Sequence, residues 1–278
     1  MPETAATLVE RARNGAPALA PKFERLVAIL GELGPSIVAF SGGVDSSLLA
    51  YVASAVDKDT ICVTASSETY TPGELEAARR FAEKHRLKFE VIKTRELEDP
   101  NFRSNPRDRC YHCKKEMLGE LQKIARAKGA RAVLYGENAS DNRDFRPGRK
   151  AMNEAGARAP MAEAGLSKDD IRRLSKALGL ETWDMPQNAC LASRFEYDNE
   201  ITPEKLMKVA KAEEMLRQAG FENVRVRLHG DIARIEFSDV GRASLKKLAA
   251  IGKKVKSLGF RYVTLDLEGY RTGSMNEA

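Results

Sequence analysis

Short apolar runs alternate along the first half of the chain with segments whose apolar positions recur every three or four residues. Residues 22–34 carry Phe23, Leu26, Ile29, Leu30 and Leu33 at helical spacing, with Gly34 at the end. This predicts an amphipathic helix. "SIVAF" (36–40) is a continuous apolar run between Pro35 and two glycines, the pattern of a strand buried on both faces. A helix is expected over 44–56 and a second buried strand at "TICVTA" (60–65). Residues 72–86 predict a helix with Pro72 at its start and Leu75, Ala78, Phe81 and Ala82 on one face. "KFEVIKT" (88–94) reads as a third strand, 115–128 as a helix and "ARAVLYG" (130–136) as a fourth strand. Such alternation implies βαβ units and a parallel sheet. Ligands of such sheets bind beyond the carboxyl ends of the strands.

The later pattern has another texture. Ser167 and Asp170 in "SKDD" form a capping-box pattern before a helix at 168–178, closed by Gly179. Residues 184–201 show no periodicity, and connections of that length are commonly functional. Thr202 and Pro203 open a helix with Leu206, Val209, Ala212, Leu216 and Ala219 on one face. "NVRVRL" and "IARIEF" alternate strictly around "HGD", which predicts a hairpin. A helix over 241–258 and a strand at 262–267 follow. The expected fold class is α/β: a parallel-sheet domain over 1–199, followed by a smaller α+β domain over 200–278.

Composition narrows the setting. The chain has 278 residues, 42% of them apolar and 31% charged, with a mean hydropathy of −0.43. These values fit a soluble protein with a real core. No stretch approaches the roughly 20 apolar residues a membrane helix needs, and no leader pattern opens the chain. A cytoplasmic protein with no membrane partner is expected. The net charge of +6, from 46 basic and 40 acidic residues, suits an anionic ligand without itself calling for nucleic acid. In a reducing compartment the four cysteines point to metal or catalytic roles rather than disulfides. Cys62, inside an apolar run, reads instead as a small buried hydrophobe.

Three features carry candidate chemistry. In "FSGGVDSS", Gly42 and Gly43 lie between a strand and a helix, where backbone N–H groups and the helix dipole favour a phosphate. Ser41 and Ser46 add hydroxyl donors, and Asp45 can hold Mg²⁺ or an oriented N–H. The loop has no lysine, so it is neither a Walker loop nor a G-x-G-x-x-G fingerprint. Cys110 and Cys113 in "RCYHCK" fit a zinc half-site, a redox pair or part of an iron–sulfur site. With Cys190 they make three thiolates, which suit a [4Fe–4S] cluster with one open iron. Arg194 follows Cys190 by four residues, and a nearby cation favours a thiolate. Arg225 and Arg227 share one face of a strand, roughly 7 Å apart. Across the hairpin stand Arg234 and Glu236. The arginine pair suits a phosphate or dicarboxylate; the plainer reading is the wet face of a sheet.

"SGGVDS" resembles the PP-loop of ATP pyrophosphatases. The resemblance implies that ATP is cleaved between its α- and β-phosphates, with the loop holding the departing pyrophosphate. A lysine-free loop fits a reaction that does not transfer the γ-phosphoryl group. Taken in order, "RCYHCK", "FRPGRKAMNEAG", "ETWDMPQNACLASR", "ITPEKL" and "VRVRLHGDIARIEF" resemble the LarE family over about residues 36–268. That family comprises ATP-dependent sulfur transferases of nickel-pincer nucleotide cofactor biosynthesis for lactate racemase. The resemblance implies adenylation of a carboxylate on a pyridinium-3,5-biscarboxylate mononucleotide, then its conversion to a thiocarboxylate. With all three cysteines present, the chain resembles the cluster type, so Cys110, Cys113 and Cys190 are both metal ligands and catalytic residues. Ser41, Gly42, Gly43, Asp45 and Ser46 would hold ATP and Mg²⁺. Arg194, Arg225, Arg227 and Glu236 would bind the substrate. A hexamer is implied, with the C-terminal domain contributing substrate-phosphate binding and oligomer contacts. No motif names the sulfide source. One stretch departs from the family: "GENASDN" (136–142) stands where G-T-N-A-D-D is expected, so only Asn138 and Asp141 carry over. The alternative is a tRNA thiolase of the same superfamily. The absence of an interleaved aromatic–basic surface counts against it.

Overall fold

In the computed structural model, which describes residues 3–140, 147–186, 189–238, 240, 244–271 and 274–276, the four apolar runs of the first half are parallel strands. They are β1 (Ser36–Ala39), β2 (Ile61–Ser66), β3 (Phe89–Lys93) and β4 (Ala132–Tyr135). The sheet order is β3-β2-β1-β4. Val38 pairs with Cys62 on one side and Leu134 on the other. The chain steps outward from β1 to β3, then returns to add β4 on the far side of β1. That reversal leaves a crevice beyond the carboxyl ends of β1 and β4, the place where open α/β sheets take their ligands.

Helices α1 (Ala5–Gly15) and α2 (Ala20–Leu33) precede β1; α3 (Val44–Val56), α4 (Pro72–Lys84), α5 (Pro100–Arg103) and α6 (Arg109–Lys128) lie between the strands; α7 (Pro147–Glu154), α8 (Pro160–Glu163) and α9 (Lys168–Ala177) follow β4. Leu8, Phe23, Leu26, Leu48, Leu49, Ile171 and Leu174 form one buried layer from α1, α2, α3 and α9. Met117, Leu118 and Leu121 of α6 join Ala151 and Met152 of α7 in another. The first helix lies outside the elements expected from the pattern; Thr4 caps it by accepting from the Thr7 N–H. Helix α6 begins at Arg109 rather than near 115, because neither Gly nor Pro stands between Pro106 and residue 115. The Cys-x-x-Cys pair therefore lies in the first turn of a helix.

The chain divides into two units. The first comprises Met1–Ser67, Pro72–Arg95 and Cys110–Asn188; the second comprises Glu68–Thr71, Glu96–Arg109 and Ala189–Ala278. In the second, α10 (Pro203–Gln218) buries Leu206, Val209, Ala212 and Leu216. The hairpin pairs β5 (Arg225–His229) with β6 (Ile232–Glu236) in antiparallel register, and β7 (Tyr262–Leu265) adds parallel to β6 after α11 (Leu245–Lys256). Among the described residues no helix is long and apolar enough to cross a membrane.

Candidate functional site

The phosphate loop leaves β1 and enters α3. Gly42 has φ of +74°, and a Cβ there would lie 3.2 Å from both Cα and Cβ of Ala78. Only glycine meets both demands. Gly43 caps α3 with an extended backbone. The two hydroxyls brace the turn: Ser46 Oγ accepts from the Ser41 N–H at 3.2 Å and lies 3.0 Å from Ser41 Oγ. The first-turn N–H groups of α3 thus face the crevice with hydroxyls beside them, a suitable cradle for phosphate oxygens.

A lysine reaches the loop from elsewhere. Lys168, the first residue of α9, places Nζ 2.7 Å from each oxygen of Asp45. The Ser167 hydroxyl accepts from the Asp170 N–H, and the Asp170 carboxylate accepts from the Ser167 N–H. This box holds Lys168 at the helix start, where the dipole disfavours a cation. Asn138 Nδ2 donates to Asp45 at 3.5 Å, Asn138 Oδ1 accepts from the Ser140 N–H, and Ser140 Oγ accepts from the Lys168 N–H. Two helix N-termini and an ammonium therefore converge on one carboxylate, an arrangement that favours a polyanion. Sequence reasoning missed Lys168. Its one local signal was its place directly after a capping serine. Asp141, carried over from the family motif, lies outside the described residues.

Cys110 and Cys113 stand one helical turn apart on α6, Cys110 exposed and Cys113 half-buried. Helix α7 rests on this turn: a Cβ on Gly148 would lie 3.0 Å from Lys114 Cγ and 3.4 Å from the Cys110 carbonyl. Tyr111 Oη donates to Glu154 at 2.7 Å.

Cys190 belongs to the second unit and precedes the short turn Leu191–Arg194. Leu191 N–H donates to the Thr69 carbonyl at 2.9 Å. Arg194 is buried and donates to the carbonyls of Ala189 at 2.6 Å and Cys190 at 3.1 Å. Its other nitrogens bind Glu213 at 2.8 and 3.2 Å. Arg227 binds Glu236 at 2.9 Å and the Ser193 carbonyl at 3.2 Å. Arg234 and Ser274 complete the shell of Glu236. Arg225 donates to the Val224 carbonyl and lies 5.3 Å from the Tyr270 ring. The plain expectation of a wet face does not hold: Arg225 and Arg227 are only 8% and 5% exposed. The Cys190 turn and α10 cover the face the arginines occupy. Burial, then the charge of Arg194, lowers the Arg225 pKa.

Glu213 anchors this cluster. Burial, the largest single influence, pushes its carboxyl up, but the charge and hydrogen bonding of Arg194, the Val226 N–H and the charge of Arg225 together outweigh it, and the pKa is lowered. Glu213→Ala is expected to destabilise the protein by about 3–5 kcal/mol, because it leaves a buried guanidinium uncompensated. A urea unfolding midpoint equal to the native one would refute this. In the native protein the contribution of Glu213 is complete above about pH 4.5, the carboxyl's ordinary value. It is lost as pH falls through the lower folded value.

All four cysteines are thiols, and Cys62 is buried, its pKa pushed up to about 12 by burial. Cys110, Cys113 and Cys190 are chemically suited to iron–sulfur ligation. Among the described residues, however, no three His, Cys, Asp or Glu side chains converge as a metal site. Two thiols of the set share one helical turn; the third lies in the other unit.

Residues 32–141 match the asparagine synthase family profile. The pyridinium-3,5-bisthiocarboxylic acid mononucleotide synthase of Lactiplantibacillus plantarum is 40% identical over 262 residues, covering 93% of this chain and 95% of that protein. An uncharacterized protein of Synechocystis sp. is 43% identical over 262 residues, covering 93% of this chain and 98% of its own. A glutamine-hydrolyzing GMP synthase chain of Thermoplasma acidophilum is 31% identical over 194 residues, 64% of this chain and 62% of that one.

Proposed function

The chain belongs to the LarE family of PP-loop sulfur transferases, and from that premise we propose that it converts a carboxylate of a pyridinium-3,5-biscarboxylate mononucleotide to a thiocarboxylate with cleavage of ATP. The product serves the nickel-pincer nucleotide cofactor of lactate racemase. The observation that carries the ATP half of this reading is the meeting of Lys168 with Asp45 at the strand switch. It adds the missing cation to a glycine loop already shaped for phosphates. Asp45 is the loop carboxylate that would stand beside an ATP-bound Mg²⁺, which would neutralise phosphate charge.

In the first step a substrate carboxylate oxygen attacks the α-phosphorus. The bond to the bridging α–β oxygen breaks, and pyrophosphate leaves with the electron pair. Lys168 and the α3 N–H groups stabilise that leaving charge. In the second step a sulfur nucleophile attacks the acyl carbon of the adenylate. The carbon–oxygen bond breaks, AMP leaves, and the sulfur stays. Cys110, Cys113 and Cys190 would hold a [4Fe–4S] cluster, which when bound would supply the sulfide. Arg194 and Glu213 orient the Cys190 turn. Arg225 and Arg227, buried beneath that turn, would supply the positive charge that draws the substrate phosphate, with Glu236 paired to Arg227.

The test is product analysis. Anaerobically reconstituted protein given ATP and the pyridinium biscarboxylate mononucleotide is expected to release pyrophosphate and AMP in equal amounts. Release of ADP and inorganic phosphate would overturn the reading.

A further inference from the structure

Glu137 of "GENASDN" and the stretch "FRPGRKAMNEAG" remain without a role, and their described parts meet in the first unit. Gly136, directly after β4, sits against the phosphate loop: a Cβ there would fall 2.9 Å from the Ser46 N and 3.2 Å from the Asp45 carbonyl carbon. The next residue, Glu137, is 6% exposed. Its Oε2 accepts from Tyr135 Oη at 2.6 Å. Its Oε1 lies 2.9 Å from Arg149 Nε as an ion pair, although no hydrogen bond of good geometry reaches that oxygen among the described residues. Arg149 follows Gly148 on α7, and Gly148 lies against the Cys110 carbonyl and Lys114. A continuous line of close contacts thus runs from the phosphate loop through Glu137 and Arg149 to the cysteine turn.

We infer that Glu137 is a positioning residue that fixes the Cys110–Cys113 turn relative to the phosphate loop, an inference that rests on the sulfur-transfer reading. The physical reason is the cost of separating buried charge. An apolar contact tolerates sliding, whereas a buried carboxylate anchored by a tyrosine hydroxyl loses its charge partner if the guanidinium on α7 moves away. Burial and the bond to Glu137 both raise the Tyr135 pKa, so the hydroxyl remains a donor at neutral pH. Both straps act on α7: Glu137–Arg149 ties it to β4, and Tyr111–Glu154 ties it to α6. Acyl-adenylate forms at the loop and sulfur is delivered from the cysteines, so a small displacement of one against the other is costly.

The experiment uses the full-length protein with Glu137→Gln, Glu137→Ala and Arg149→Gln. Iodoacetamide alkylation of Cys110 and Cys113, resolved by mass spectrometry, is followed with Cys190 as the internal reference. Single-turnover pyrophosphate release and thiocarboxylate formation are measured alongside. In the variants, alkylation of the half-buried Cys113 is expected to quicken severalfold while Cys190 keeps its rate. Thiocarboxylate formation is expected to fall about tenfold or more, with single-turnover pyrophosphate release within about threefold of native. Unchanged Cys110 and Cys113 rates in folded variants would overturn the inference. So would single-turnover pyrophosphate release and thiocarboxylate formation falling by one common factor, which would place Glu137 in the ATP site. If Glu137→Ala does not fold, Arg149→Gln, altered on the more exposed side of the pair, decides the matter. If the native protein forms no AMP, the sulfur-transfer reading fails, and the alkylation rates still decide the positioning claim.

Discussion

Lys168→Met is expected to cut AMP and pyrophosphate formation by about a hundredfold or more, the loss typical of removing one preorganised donor from a developing charge. The argument is electrostatic. The first step concentrates negative charge on leaving pyrophosphate, and the loop itself supplies only N–H and hydroxyl donors. Lys168 is held at 2.7 Å from both Asp45 oxygens. It is thereby stationed where the phosphates bind, and it can shift from carboxylate to pyrophosphate without leaving the crevice. Lys168→Arg keeps the charge but replaces a compact ammonium with a broad fork, so an intermediate loss is expected. Quenched-flow measurement of AMP with a parallel melting curve separates chemistry from folding. A well-folded methionine variant with the native rate would remove Lys168 from the reaction.

The second large effect falls on the other step. Cys190→Ala is expected to abolish thiocarboxylate formation while pyrophosphate release continues, because the loop and Lys168 are untouched. Mass analysis of the product reads the exchange of oxygen for sulfur. Thiocarboxylate formed at the native rate by Cys190→Ala would overturn the assignment and favour a protein that merely binds nucleotide. The same preparation tests the sulfur source. Anaerobic native protein is expected to be brown and to bleach in Cys110→Ala. A colourless native protein whose Cys190 loses the mass of hydrogen sulfide during turnover would instead show that residue giving up its own sulfur.

The parallel sheet and the strand–loop–helix setting of Ser41 to Ser46 were legible in the sequence because both rest on local pattern. An apolar run of four or five residues flanked by Gly or Pro can do little but become a buried strand, and helical spacing fixes which face the next segment buries. The Ser167–Asp170 box was legible for the same reason, since both partners lie within one turn. Helix α1 is hard to read because its alanine-rich segment carries few large apolar residues to mark a buried face. The start of α6 is masked because Cys110 and Cys113 suggest a ligand loop, although nothing nearby breaks a helix.

Alternation along "VRVRL" places Arg225 and Arg227 on one face and says nothing of what covers that face. The turn at Cys190 and Glu213 of α10 cover it, and both lie elsewhere in the chain. Lys168 and Asp45 are 123 residues apart, and no spacing rule joins them. They meet because β4 returns to the far side of β1 and carries α9 back toward the loop. Residue patterns by themselves determined the elements, their order and the chemistry available in each. The tertiary structure decided which charges neutralise one another, because Coulomb energies and desolvation depend on distance and burial, and those exist only once the chain has closed on itself.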